Sequence, residues 1–241
     1  MEKRYDCDFC AQLNRKYTIN NRIFYQSENF TSWPSLGPLG DGHILLLPNG
    51  HRTGFFEFKN KEKKEFEQFY CCYKSIFHGQ RLTFLIGEHG RQGKAPTKLR
   101  RSSNAFVPQC VDHAHLHFLV LAGNFENILA HYIDEIHADP LKLDLEGLIS
   151  KVHSDRKEYI VIGSGQEDWY YWGSVSSIES QLIRRVAARM LGCPEVFNWR
   201  EFPNYSQIDS VRQKIVSKFL DMETNRLNIA SEHQAPFNLG R

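Results

Sequence analysis

The stretch "CVDHAHLHFLV", residues 110–120, sets His113, His115 and His117 at alternate positions. With only 11 histidines in 241 residues, three inside five positions call for a cause. In an extended strand residues i, i+2 and i+4 share a face. The spacing therefore predicts one face of imidazoles and an opposite, core-facing surface of Ala114, Leu116 and Phe118. Three chemistries fit such a row. A purely structural cluster would need a partner for every ring nitrogen. A metal face can use histidines at i and i+2, but a hydrolytic metal usually adds carboxylates and an open position. Asp112 is adjacent yet predicted to point the other way, and Glu88 is the remaining acid to consider. In the third reading the rings react directly: an imidazole with an ordinary pKa near 6.5 can attack, orient or carry a proton at neutral pH.

A second constellation is "CDFC", with Cys7 and Cys10 at CxxC spacing. A redox pair, half of a zinc site and coincidence are the three readings. No strand precedes it and no helical pattern follows closely, which argues against a thioredoxin-like redox motif. The other cysteines form no framework. Cys71 and Cys72 sit inside a helical pattern as buried small hydrophobes, and Cys110 and Cys193 are isolated.

The elements that must carry these residues alternate strand and helix signals. A short strand is expected in "NRIFYQSENF". The run Ile44–Leu47 reads as a buried strand closed by Pro48 and Gly50. Phe66, Phe69, Tyr73 and Phe77 define an amphipathic helix ending near Gly79. "RLTFLIGEHG" is a further strand. Residues 91–109 form a polar loop bearing Arg91, Lys94, Lys98, Arg100 and Arg101, and the histidine strand follows. "NFENILAHYIDEI" reads as a helix, and "EYIVIG" with "DWYYWGSV" as a strand pair. In "SSIESQLIRRVAARMLG" the ladder Ile178, Leu182, Val186, Met190 predicts a helix capped by Gly192. A last helix covers "SQIDSVRQKIVSKFLDMETN", with a frayed tail from about Ile229.

Composition sets the bounds. Hydrophobic residues at 41% and charged residues at 24% are those of a globular protein with a full core. A net charge of +2 argues against nonspecific nucleic-acid or membrane binding, leaving room for a local basic patch. "MEKRYDCDFC" has no apolar leader and no run approaches 18 apolar residues, so a cytoplasmic protein is expected.

"PQCVDHAHLHFLV" resembles the histidine-triad family signature, H-φ-H-φ-H-φ-φ with φ apolar, preceded by a glutamine, here Gln109. "GDGHILLLPNGH" is similar to that family's strand ending in a proline followed by a histidine, with His43, Pro48 and His51 at matching positions. The resemblance covers roughly residues 5–125. It implies an α+β fold, an antiparallel sheet with a packed helix, as a catalytic domain over residues 1–125. Residues 126–241 would be a mixed α/β extension packing on it. It further implies a nucleotide phosphate hydrolase or nucleotidyl transferase in which His115 is the nucleophile. His117 and Gln109 would lie near the leaving group and phosphate oxygens, His113 would hold the geometry, and His43 would lie near the phosphate. Dinucleoside polyphosphates and nucleoside phosphoramidates are both candidate substrates. Similar proteins with an N-terminal CxxC imply a structural zinc held by Cys7, Cys10, His51 and His113. They also imply a homodimer, though the extension could cover that surface.

One departure stands out. The family's polar turn before the triad strand is here Glu88-His89-Gly90. Substitute phosphate contacts are Asn104, Ser102 and Ser103, with Arg100, Arg101 or Lys98 for a polyphosphate tail. Arg184, Arg185 and "DWYYW" form either a substrate wall or packing against the first half. The altered turn also keeps open a non-catalytic, zinc-stabilised nucleotide- or RNA-binding module, and a metal-dependent phosphodiesterase is the third reading.

Overall fold

A computed structural model describes residues 7–14, 22–77, 83–91, 113–121, 123–136, 140–155, 157–164, 168–174 and 181–232. The expected contacts at Gln109, Asn104, Ser102, Ser103, Arg101, Arg100 and Lys98 lie outside the described residues, as does Cys110.

Among the described residues eight strands form one antiparallel sheet: β1 (Tyr25–Gln26), β2 (Phe30–Pro34), β3 (Ile44–Pro48), β4 (Thr83–Arg91), β5 (Leu116–Leu121), β6 (Leu141–Leu143), β7 (Glu158–Ser164) and β8 (Tyr170–Ser174). Their spatial order is β1-β2-β3-β5-β4-β7-β8-β6. The described residues also form six α-helices: α1 (Asp8–Leu13), α2 (Asn60–Ile76), α3 (Phe125–Ile136), α4 (Leu145–Ser154), α5 (Leu182–Met190) and α6 (Tyr205–Glu232). The fold class is α+β. Strand β7 pairs with β4 from Leu85↔Ser164 to Arg91↔Glu158, so the chain after residue 125 continues the same sheet. A division at residue 125 thus falls within a single sheet.

Alternation along the strands gives the sheet two buried faces. On one, Phe30, Ile44, Leu46, Ile86, Leu116, Phe118 and Val161 pack with the buried residues of α2, including Phe66, Phe69 and Tyr73. On the other, Leu85, Leu119, Ile160 and Ile162 pack with Leu182, Ile183 and Val186 of α5 and with Ile128 and Tyr132 of α3. At the β2–β3 end of that second face, Phe9 and Cys10 of α1 lie with Trp33, Leu45 and Leu47. Each fully buried aliphatic or aromatic side chain contributes roughly 1.5–3 kcal/mol.

Several expectations change. The CxxC does open a helix, α1, with Cys7 as its N-cap accepting from the Cys10 N–H; six residues are too few to register as periodicity. Cys71 is exposed and Cys72 half-buried, because α2 turns Phe69, Tyr70 and Tyr73 inward and leaves the intervening positions outside. Helix α6 runs to Glu232, past the expected fraying point. Gly192 follows the α5 C-cap with φ 76°. No helix among the described residues is long and apolar enough to cross a membrane.

Candidate active site and metal centre

The three histidines keep their alternation, but the ladder begins only at Leu116, so His113 and His115 precede strand pairing. The Ala114 N–H donates to the Arg52 carbonyl at 2.7 Å, holding this approach segment beside the turn after β3. Ala114, Leu116 and Phe118 enter the main core as the pattern requires. The imidazoles occupy the other face, where they divide into two groups.

His113 turns toward α1. Its Nδ1 lies 3.5 Å from Cys7 Sγ and 3.3 Å from Cys10 Sγ, and Cys10 Sγ lies 3.3 Å from His51 Nδ1. All four ligand atoms fall within 4.8 Å of one another. A tetrahedral zinc with Zn–S near 2.3 Å and Zn–N near 2.0–2.1 Å would set neighbouring S and N atoms about 3.6 Å apart. The donor set and separations fit such an ion. The second nitrogen of His113 agrees: Nε2–H donates to the Pro48 carbonyl at 3.0 Å, leaving the Nδ1 lone pair on the sulfur side. Burial drives the His113 pKa down to about 3, so the ring is neutral, as a ligand must be. His51 is delivered by the turn after β3. Asn49 fixes that turn through Thr31 Oγ1 at 2.7 Å and the carbonyls of Ser27 and Glu28.

His115 and His117 face a cavity of about 510 Å³. His115 Nδ1 lies 2.8 Å from the His113 carbonyl, which can only accept. Nδ1 therefore carries the proton and Nε2 keeps its lone pair. Burial, opposed by that hydrogen bond and reinforced by the charges of His89 and Arg184, lowers the pKa to about 4. At neutral pH the ring is uncharged, the form in which an imidazole can act as a nucleophile.

His117 has the opposite arrangement. The Leu39 N–H donates to His43 Nδ1 at 3.0 Å, so neutral His43 bears its proton on Nε2. That Nε2–H donates to His117 Nδ1 at 3.0 Å, which leaves His117 protonated on its own Nε2. One ring thus offers a lone pair and the other an N–H. His43 is buried behind His117 and does not line the cavity, in contrast to the expected phosphate contact. Burial holds the pKa of both His43 and His117 well below the ordinary value.

The rest of the cavity wall comes from residues that sequence reasoning did not single out. Phe9, Gln12, Arg22, Gln181, Leu182, Ile183, Trp199 and Tyr205 all line it. Arg22 is buried over the Trp33 ring at 5.1 Å and donates to Gln12 Oε1 at 2.5 Å, with burial lowering its pKa to about 10. Arg184 also lines the cavity, while Arg185 packs its guanidinium over Phe197. The "DWYYW" run supplies packing instead, with Tyr170 and Trp172 in the core.

The unusual Gly87-Glu88-His89-Gly90 run has a steric explanation. A Cβ on Gly87 would meet Ile183 of α5 at 2.8 Å, and one on Gly90 would meet the Tyr159 ring at 2.3 Å. The glycines let α5 and Tyr159 close on β4. Glu88 points into the core, where it accepts from the Phe55 N–H at 2.5 Å and the Tyr159 hydroxyl at 3.0 Å, away from the Cys–His cluster. His89 points to the cavity.

No family model matches the chain, and no curated protein matches it. Similar solved structures include several histidine-triad proteins. A Zn-bound histidine triad family protein from Mycobacterium smegmatis is 22% identical, with 50% of this chain and 78% of that one covered and a TM-score of 0.34. A histidine triad protein from Clostridium difficile is 21% identical, covering 52% and 96% at a TM-score of 0.34. A histidine triad nucleotide-binding protein from Candida albicans is 13% identical, covering 49% and 76% at a TM-score of 0.35.

Proposed function

We propose that the protein is a nucleotide phosphate hydrolase or nucleotidyl transferase of the histidine-triad type, working through a nucleotidyl-histidine at His115. The observation that carries this reading is the tautomer of His115, whose Nδ1–H is spent on the His113 carbonyl so that Nε2 meets the cavity as a lone pair. In the first displacement this nitrogen bonds phosphorus as the leaving group departs. Water then releases the nucleotide and restores the ring. A neutral imidazole serves both steps, since it attacks phosphorus readily and leaves readily. The His117 Nε2–H, backed by His43, donates to a phosphoryl oxygen as charge builds there. A positioned donor of that kind is worth roughly 10²–10³ in rate. Buried Arg22 and Arg184 give the cavity a cationic wall suited to phosphate.

Cys7, Cys10, His51 and His113 would hold a structural zinc, which when bound pins α1 against the sheet. Cysteines that are not joined in disulfides suit a reducing compartment, and we propose a cytoplasmic protein. The test is the intact mass of the protein after brief exposure to diadenosine polyphosphates and adenosine phosphoramidates, wild type beside His115→Ala, with and without chelator. A nucleotidyl adduct in the wild type alone is the expected result. Bound nucleotide without adduct or turnover would favour a binding module. Immediate loss of activity to the chelator, with no adduct at any stage, would favour a metal-dependent phosphodiesterase.

A further inference from the structure

The cavity holds a third histidine that the triad motif does not include. His89 lines it together with His115 and His117. Strand β4 pairs with β5 up to Gly87↔His117. His89 lies two residues beyond that pairing, on the face it shares with Gly87, near enough to His115 for the two rings to interact electrostatically. Behind His89 stands a carboxylate: Nε2 lies 2.7 Å from Glu158 Oε1, both side chains being largely buried. Glu158 opens β7, the strand that continues the sheet beyond β4, and it reaches His89 diagonally across the Arg91↔Glu158 pairing. A nucleophile, a histidine beside it and a carboxylate orienting that histidine are the parts of an acid–base relay.

We propose that His89, held by Glu158, is a catalytic residue of this site, the general acid that protonates the leaving group and the general base that activates water. This rests on the reading of His115 as nucleophile. In the first step the His115 Nε2 lone pair forms the N–P bond, the bond from phosphorus to the leaving atom breaks, and a proton passes from the His89 imidazolium to that atom. Glu158 balances the charge of the imidazolium and fixes the ring. In the second step neutral His89 takes a proton from water as the water oxygen bonds phosphorus. The N–P bond breaks, and both rings return to their starting states. The net reaction consumes one water and releases the protonated leaving group and the nucleoside monophosphate. The dyad suits substrates whose leaving atom needs a proton, such as the nitrogen of a phosphoramidate.

The experiment compares two adenosine 5′-phosphoryl compounds in single turnover. The p-nitrophenyl ester departs as a stable anion, whereas the propylphosphoramidate must leave as a protonated amine. His89→Asn is expected to slow amine release by about 10²–10⁴, while release of p-nitrophenolate in the first turnover stays within about threefold of the wild type, a general acid being little needed there. Glu158→Gln should show the same contrast at smaller amplitude, and it carries the test if His89→Asn does not fold. Equal slowing of both substrates would reduce His89 to a structural part and overturn the proposal, as would no slowing of either. A wild type that releases neither leaving group would overturn the assignment of His115 along with it. Uniform slowing beside an active wild type sinks the dyad alone.

Discussion

Replacing Arg184 by methionine should destabilise the fold sharply, and the size of the loss follows from its partners. This side chain of α5 is 2% exposed, and no carboxylate is among its described partners. Nε donates to the Phe197 carbonyl at 2.7 Å and Nη2 to the Gly37 carbonyl at 2.6 Å. Nη1 donates to Ser35 Oγ at 3.1 Å and lies 3.5 Å from His43 Nδ1, and a longer contact reaches the Val196 carbonyl at 3.4 Å. Burial lowers the guanidinium pKa to about 9, which still leaves it charged at neutral pH. A hydrogen bond from a charged donor nets about 1.5–3 kcal/mol, and each buried carbonyl stranded by its loss costs about 1–3 kcal/mol. The two short bonds dominate. Relief from burying the charge offsets part of their loss, which leaves about 2–5 kcal/mol from two such bonds. We expect a loss in that range for Arg184→Met. Arg184→Lys should lose less, since it keeps the charge but cannot reach the divergent carbonyls with one ammonium. Urea unfolding of the three proteins measures this. A loss below about 1 kcal/mol for Arg184→Met would refute the view that this arginine ties α5 to the loop bearing Gly37 and His43.

Two further outcomes follow from the same geometry. Wild-type protein should bind zinc with one ion per chain, and Cys10→Ser should abolish binding and lower Tm by more than about 5 °C; elemental analysis beside thermal unfolding decides, and a wild type that takes up no zinc would contradict the four-ligand centre. Glu88, raised to about 8 by burial against the opposing hydrogen bonds of Phe55 and Tyr159, keeps its proton in the folded state over a range where the unfolded chain, near 4.5, has lost it. The unfolded state binds fewer protons there, so stability falls as pH rises from about 4.5 to 8. The stability of wild type relative to Glu88→Gln should therefore decline across that window and stay level above it, and a flat or rising difference would show that the carboxylate is held ionised.

The strands and the histidine face were legible because alternation survives folding: Ala114, Leu116 and Phe118 entered the core although ladder pairing starts late. The CxxC and the histidine after Pro48 were linked only through the family resemblance, and the structure brings their side chains together with His113. Other parts had no such signal. Arg22 is far in sequence from Trp199 and Tyr205, and only the fold brings them to one cavity. The dyad was hidden in a different way. Glu88-His89 reads as two adjacent polar residues, and only strand alternation sends Glu88 to the core and His89 to the cavity, where β7 supplies Glu158. His43 was recognised as part of the site but misplaced by one layer, since sequence does not reveal which of two contacting imidazoles stands in front.

The proposed metal site and the proposed nucleophile are not independent, because His113 touches both. Its ring Nδ1 faces the sulfurs of Cys7 and Cys10, while its backbone carbonyl accepts the proton that fixes the tautomer of His115. With an ion bound, His113 is held by the metal, by Pro48 through Nε2, and by the neighbouring Ala114–Arg52 backbone bond. Without it, two hydrogen bonds remain to hold the ring and the chain beside it. The His113 carbonyl would then be less firmly held, and with it the hydrogen bond that keeps the proton on His115 Nδ1. Metal loss should therefore slow adduct formation at His115 even though no ligand lies in the reaction path. On the proposed reading, an ion held by His113 would act as a clamp on the tautomer of His115, two residues away.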